Sequence, residues 1–373
     1  MVQAPSTYDL YNHPGKIAPA LNRLAERAIL AELVAAAQWN QIKEIPFKLR
    51  RSELSLEAPH FVQYVLTQEF QSCNNCSEAA YVLSSVACRD TIHIRTTIDS
   101  TLQKKVQNIL STALKNQYEN KVVNGAALIV EHSTGQILTW AVASAYPLKS
   151  GTKNGFSKLS KPSRISKFSK LSKLSNFSTT EYIDSVRALR QPGSAMKPFL
   201  YALALEKGWN AATLIDDSPL KEPVGVGLHT YHNYSNIHYG PVTLRNALGN
   251  SLNIPALKTI QFTGVDSYLE KLRKLGITSL NQHPDFYGDG LALGNGEVSL
   301  YEMIQAYCVL ANSGRFIPLS PFYDKGPVFS YSKQEFQEPV FSKEVASIIG
   351  NILSDPGARQ LEFGGSDLLD FHV

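Results

Sequence analysis

Ser194 and Lys197 sit three residues apart in Arg190-Gln191-Pro192-Gly193-Ser194-Ala195-Met196-Lys197-Pro198, directly ahead of the apolar run Phe199-Leu200-Tyr201-Ala202-Leu203-Ala204-Leu205. Pro192-Gly193 is a turn signal and the run has helical length, which predicts Ser194 in the first turn of a buried helix. Residues three apart share a helical face, so the Lys197 amine is expected within reach of the Ser194 hydroxyl. A hydroxyl is a poor nucleophile until a base takes its proton, and a desolvated lysine is neutral enough to be that base. The chemistry implied is acyl transfer, whose developing negative charge the N–H groups of a helix start would favour. A serine–lysine pair also occurs on ordinary solvated helix faces, but Pro198 loosens the first turn, which a purely structural helix does not need.

A second polar pair, Ser251 and Asn253, lies in the connection between a helix over Pro241–Leu248, stopped at Gly249-Asn250, and a helix that Pro255 can open. Two apart in a tight loop, they either project a hydroxyl and an amide together or cap a helix. Glu297, before a helix through Met303, Ile304, Tyr307 and Leu310 that Gly314 can cap, reads as an acid or base or as a helix-start carboxylate. Cys73, Cys76, Cys88 and His93 form C-x2-C-x11-C-x4-H, which admits four zinc ligands or, in an exported protein, a disulfide and helical residues. The metal reading is the weaker one. Cys308 lies in an apolar helix and reads as core.

The elements that must position these groups follow in order. Leu21, Leu24, Ala28 and Leu33 mark a first helix, and Phe61–Leu66 a second. A β-rich alternation, His93-Ile94-Arg95-Thr96-Thr97-Ile98, is followed by Asp99 or Ser100 as the cap of a helix through Leu102, Val106, Ile109, Leu110 and Leu114. Ala126–Val130 and Ile137–Val142 flank Ser133-Thr134-Gly135, a β-hairpin pattern. Residues 147–180 then interrupt the chain with a Ser/Lys/Phe repeat, read as a solvated insertion whose apolar spacing also fits an amphipathic, membrane-surface helix.

At 373 residues and 43% hydrophobic, the chain can bury one large core or two. Its net charge of +4 is misleading, because seven lysines, Arg164 and no acid in residues 149–180 leave the remainder acidic. No basic, aromatic-interleaved face lies elsewhere, so nucleic-acid binding is not expected. No apolar run reaches the 18 or so residues that span a bilayer, and no signal-peptide pattern opens the chain.

Taken together, Ser194-Ala195-Met196-Lys197 and Ser251-Leu252-Asn253 resemble the S-x-x-K and S-x-N motifs of class A penicillin-binding proteins, and within them the 1C subgroup. Gln3-Ala4-Pro5-Ser6 is similar to the end of the family's glycosyltransferase domain, and Ala58–Val62 and Arg95–Asp99 to its linker and transpeptidase start. The resemblance implies an α/β (α+β) serine transpeptidase, β-lactamase-like fold, an antiparallel sheet flanked by helices and lacking its last strands. Residues 1–60 would be the helical remnant of a glycosyltransferase domain, 61–92 a linker and 93–373 the transpeptidase domain with its insertion. Ser194 would be the nucleophile, Lys197 its base, Ser251 a proton relay and Asn253 the holder of the substrate amide. Implied partners are peptidoglycan stem peptides ending in D-Ala-D-Ala, β-lactams as inhibitors and other cell-wall synthesis proteins, with no cofactor. The parent would be anchored in the cytoplasmic membrane with this domain on its periplasmic face.

Two departures shape these expectations. No K-T-G follows Asn253 before Asp370-Phe371-His372-Val373, and Lys149-Ser150-Gly151 has similar letters ahead of Ser194, inside the insertion. The glutamates a glycosyltransferase needs would lie upstream of Gln3, so a fragment of a bifunctional enzyme is expected. The competing readings are a β-lactamase or β-lactam sensor, for which Glu297 would be the carboxylate, and an inactive remnant.

Overall fold

The structure, a computed structural model, describes residues 17–32, 57–71, 94–117, 124–144, 183–224, 227–322 and 339–364, with positions 35, 39, 120 and 122. Cys73, Cys76, Cys88, His93, Leu33 and the 147–180 insertion lie outside these residues. The chain divides into two compact units, 1–56 and 57–373. The first contributes helix α1, Ile17–Leu30. Its buried residue is Ala25, whereas Leu24, expected on the buried side, is 65% exposed.

The second unit has two hydrophobic clusters. One is built on the antiparallel hairpin β1 (Asn124–Glu131) and β2 (Gln136–Ser144). Its tight turn contains Gly135 at φ 76, a left-handed value that favours glycine. Helix α2 (Pro59–Gln71) brings Phe61, Tyr64 and Val65 onto Trp140, whose ring stacks on Tyr64 at 4.8 Å. Helix α3 (Ser100–Asn116) starts because Asp99 accepts the N–H groups of Thr101 and Leu102. Buried Gln103 then clamps it to β2, accepting from Trp140 N at 2.8 Å and donating to Trp140 O at 3.0 Å. The 93–98 alternation is not a strand over its described part; Thr96 makes a single antiparallel bridge to Phe322. Cys308 is buried in this cluster, as its apolar context indicates.

The larger cluster surrounds α4 (Lys197–Glu206), where every residue from Lys197 to Leu205 is buried. Such a helix has no solvent face and must be enclosed by others. Its neighbours include α5 (Leu244–Gly249), α6 (Asn253–Thr263), α7 (Val265–Lys274), α8 (Leu300–Ala311) and α9 (Lys343–Ser354). Ser299 and Glu302 form a capping box at the start of α8. The same Glu302 carboxylate accepts the N–H groups of Thr278 and Ser279, tying the α8 start to the preceding loop.

Two more antiparallel pairs complete the sheet structure among the described residues, β3 (Leu214–Asp217) with β6 (Gly240–Thr243) and β4 (Leu220–Val224) with β5 (Gly227–Tyr231). The segment expected as one helix over 241–248 is therefore split. Gly240–Thr243 pairs with β3, and Thr243 turns the chain by capping Asn246 N, so the helix begins at Leu244. Among the described residues the antiparallel structure expected between helices consists of three two-stranded pairs.

Candidate active site

Ser194 lies one step ahead of the position its pattern predicts. Gly193–Met196 form a single 3-10 turn, and α4 begins at Lys197. Pro198 occupies the helix's opening turn, where its missing N–H costs nothing. Ser194 is exposed; its carbonyl accepts the Lys197 N–H, and its side chain makes no hydrogen bond among the described residues.

The turn that carries it is held from several sides. Tyr268 on α7 donates its hydroxyl to Met196 O and Tyr307 on α8 donates to Ala195 O, each at 2.8 Å. Gly294, at φ 73, packs so closely that a Cβ there would lie 2.3 Å from Gly193 O. Neither tyrosine nor Gly294 could be picked out by spacing, because their bonds and contacts join segments about 70 to 112 residues apart.

Lys197 is 1% exposed, and its amine turns toward the α5–α6 connection. Nζ donates to Ser251 O at 2.5 Å, Asn253 Oδ1 at 2.8 Å, Leu252 O at 3.1 Å and Ser251 Oγ at 3.3 Å. Lys197 and Ser194 are joined through the backbone, Lys197 N–H donating to Ser194 O, with no bond between their side chains, while the Lys197 amine, Ser251 and Asn253 form one cluster. Burial strips water from the ammonium and lowers its pKa from 10.5 to about 7. Ser251 adopts φ 54, a conformation rare outside glycine, and this bend brings both its carbonyl and its hydroxyl onto the amine.

Ser194, Lys197 and Ser251 open onto a common cavity of about 270 Å3, whose walls include Tyr307, Arg359 and Phe363. The far wall comes from α9 and the residues after it, fastened to α5 by Arg245, which pairs with Asp355 at 2.8 Å and also bonds Asn351. Glu297 is exposed and does not line this cavity. Among the described residues, no three His, Cys, Asp or Glu side chains gather as a metal site. Nor is any helix there long and apolar enough to cross a membrane.

A serine-bearing turn beside a buried lysine whose charged form is disfavoured by desolvation has groups that could support acyl transfer. Residues 125–360 match the family described as the penicillin binding protein transpeptidase domain, and the chain belongs to that family. It is 24% identical over 359 residues to penicillin-binding protein 1C of Escherichia coli K12, which covers 95% of this chain and 38% of that protein. It is 30% identical over 220 residues to penicillin-binding protein 1A of Neisseria meningitidis Z2491, covering 57% of this chain and 26% of that one. The chain thus spans only a part of the curated relatives it matches. The crystal structure of penicillin-binding protein 1A from Haemophilus influenzae superposes with a TM-score of 0.60 at 18% identity, over 99% of this chain and 67% of that one, and shares its fold.

Proposed function

We propose that this chain carries out the acyl-transfer step of peptidoglycan cross-linking, with Ser194 as nucleophile. The observation that supports this most is the Lys197 amine, buried one helical turn from Ser194, with a pKa of about 7 and four polar atoms of the Ser251–Asn253 turn around it. Desolvation favours its neutral form, so the group can accept a proton near pH 7. The Ser194 hydroxyl is free to rotate toward Lys197, and hydrogen bonds of this kind commonly close only when substrate arrives.

In the reaction, the Ser194 Oγ–H proton passes to Lys197 Nζ as Oγ bonds to the carbonyl carbon between the two terminal D-alanines of a stem peptide. The C–N bond breaks, and Ser251 relays a proton to the departing D-alanine amine. Asn253 holds the amide of the stem peptide. An amine of a neighbouring strand then takes the acyl group and Ser194 regains its proton; water in that place makes the reaction a carboxypeptidase. β-Lactams, which mimic the D-Ala-D-Ala terminus, acylate the same oxygen. The site works on the outer face of the cytoplasmic membrane, where its polymeric substrate lies.

Labelling with a fluorescent penicillin, followed by peptide mass mapping, tests this reading. One adduct on Ser194, absent in Ser194→Ala, is expected. An adduct that persists in Ser194→Ala, or none on the folded chain, refutes it.

A further inference from the structure

Helix α6 begins at Asn253, and the residue before it, Leu252, offers no side-chain cap. The cap is imported. Asn233, in the loop after β5 and 3% exposed, accepts the Asn253 backbone N–H on Oδ1 at 2.9 Å. Its Nδ2 faces the other way, donating to both oxygens of Asp217 at 2.9 and 2.8 Å and to Ile237 O at 2.8 Å. Asp217, at the end of β3, is fully buried, and its remaining partner is Tyr239 N at 2.9 Å. No cation bonds to it among the described residues.

A carboxylate only accepts, so Asp217 dictates which end of the Asn233 amide faces it and leaves Oδ1 aimed at Asn253. Burying a carboxylate with no cation costs more than a helix cap returns, so capping alone does not account for the arrangement. Its far end is the group that does. Asn253 Oδ1 accepts from Lys197 Nζ at 2.8 Å, and Asn253 Nδ2 is anchored on His232 O at 2.8 Å in the same loop.

We propose that Asp217 and Asn233 are positioning residues for the acylation step, fixing Asn253, and through it the Lys197 amine, against the Ser194 turn. The proposal rests on the acyl-transfer reading above. Neither residue touches the cavity, and each acts through Asn253.

The test compares the wild-type chain with Asp217→Asn, Asn233→Leu and the exchanged pair Asp217→Asn/Asn233→Asp, measuring the penicillin acylation rate at saturation, the non-covalent dissociation constant and Tm. Each single variant is expected to lose roughly 10- to 100-fold in acylation rate, the scale of a one-ångström misplacement, with the dissociation constant changed less than about threefold. The exchanged pair restores the donor–acceptor link between the two positions but leaves Ile237 O without its donor, and is expected to recover part of that loss. Single variants that lower Tm but acylate at the wild-type rate, or an exchanged pair no better than either single change, overturn the proposal.

If the wild-type chain fails to label, the functional reading falls, and the positioning is then read from amide hydrogen exchange. Loss of protection confined to residues 252–257 in Asn233→Leu upholds the link to Asn253. No change there, or loss spread through the domain, refutes it.

Discussion

Replacing Lys197 by methionine removes a charge from a site that excludes water, and the effect on stability should depend on pH in a defined way. The folded-state pKa is about 7 and the ordinary value, taken for the unfolded chain, is 10.5. Below pH 7 both states hold the proton, so folding buries an ammonium; the gap corresponds to about 5 kcal/mol at most. Between about 7 and 10.5 the unfolded chain keeps a proton that the folded chain has lost, and wild-type stability rises with pH by up to about 1.4 kcal/mol per pH unit.

Lys197→Met has no such term. It leaves Ser251 O, Leu252 O and Asn253 Oδ1 short of a donor, a penalty of about 1–3 kcal/mol for each one that stays dry, which does not vary with pH. The difference in unfolding free energy between variant and wild type therefore isolates the amine. Urea titrations followed by circular dichroism from about pH 6 to about pH 9 should show wild type gaining about 2.5 kcal/mol on the variant. A difference that stays flat across that range refutes a desolvated, readily neutralised Lys197, and with it the argument for a lysine base.

The same amine must be neutral to accept the Ser194 proton, so the penicillin acylation rate should climb from pH 6 and level off above about 7; a limb near 10 would mean an unperturbed lysine. Gly294→Ala should abolish labelling and lower Tm, because its Cβ would meet the Gly193 backbone at 2.3 Å; a variant that labels normally would show that the Ser194 turn moves aside freely. Tyr268→Phe leaves Met196 O without its donor in a buried setting and should cost about 1–3 kcal/mol in chemical denaturation. Tyr307→Phe, beside the more exposed Ala195, should cost less stability, and equal losses would contradict the burial difference. Glu297→Gln should leave the rate of penicillin release unchanged, and slower release of label from the variant would revive a hydrolytic role for that carboxylate.

What could be read from the chain alone was local. The hairpin around Ser133-Thr134-Gly135 and the helix capped by Asp99 are written in neighbouring residues, and both appear where the pattern puts them. The resemblance assigns Lys197, Ser251 and Asn253 to one site, but the bonds among them come from the fold, since nothing in the spacing brings residues 54 to 56 apart together. Three things were not legible. Gly240–Thr243 looks like the start of a helix until β3 is beside it, because its strand identity comes from its partner. The cavity wall with Arg359 and Phe363 depends on how α9 packs. The Asp217–Asn233 pair is invisible as well, since an Asp and an Asn sixteen residues apart carry no signature until a fold closes them.

The left-handed bend at Ser251 bears on how this domain would change under selection. A non-glycine residue at φ 54 carries a conformational strain of order 1 kcal/mol that glycine would relieve. A glycine there would keep the carbonyl that Lys197 binds and lose the hydroxyl. Libraries of this domain sorted for heat tolerance alone would therefore drift toward glycine at this position, shedding the side chain while the backbone bond survives. With Ser251 as the proposed proton relay, thermal selection and turnover pull in opposite directions at this residue, and a programme of hardening the domain would hold Ser251 fixed.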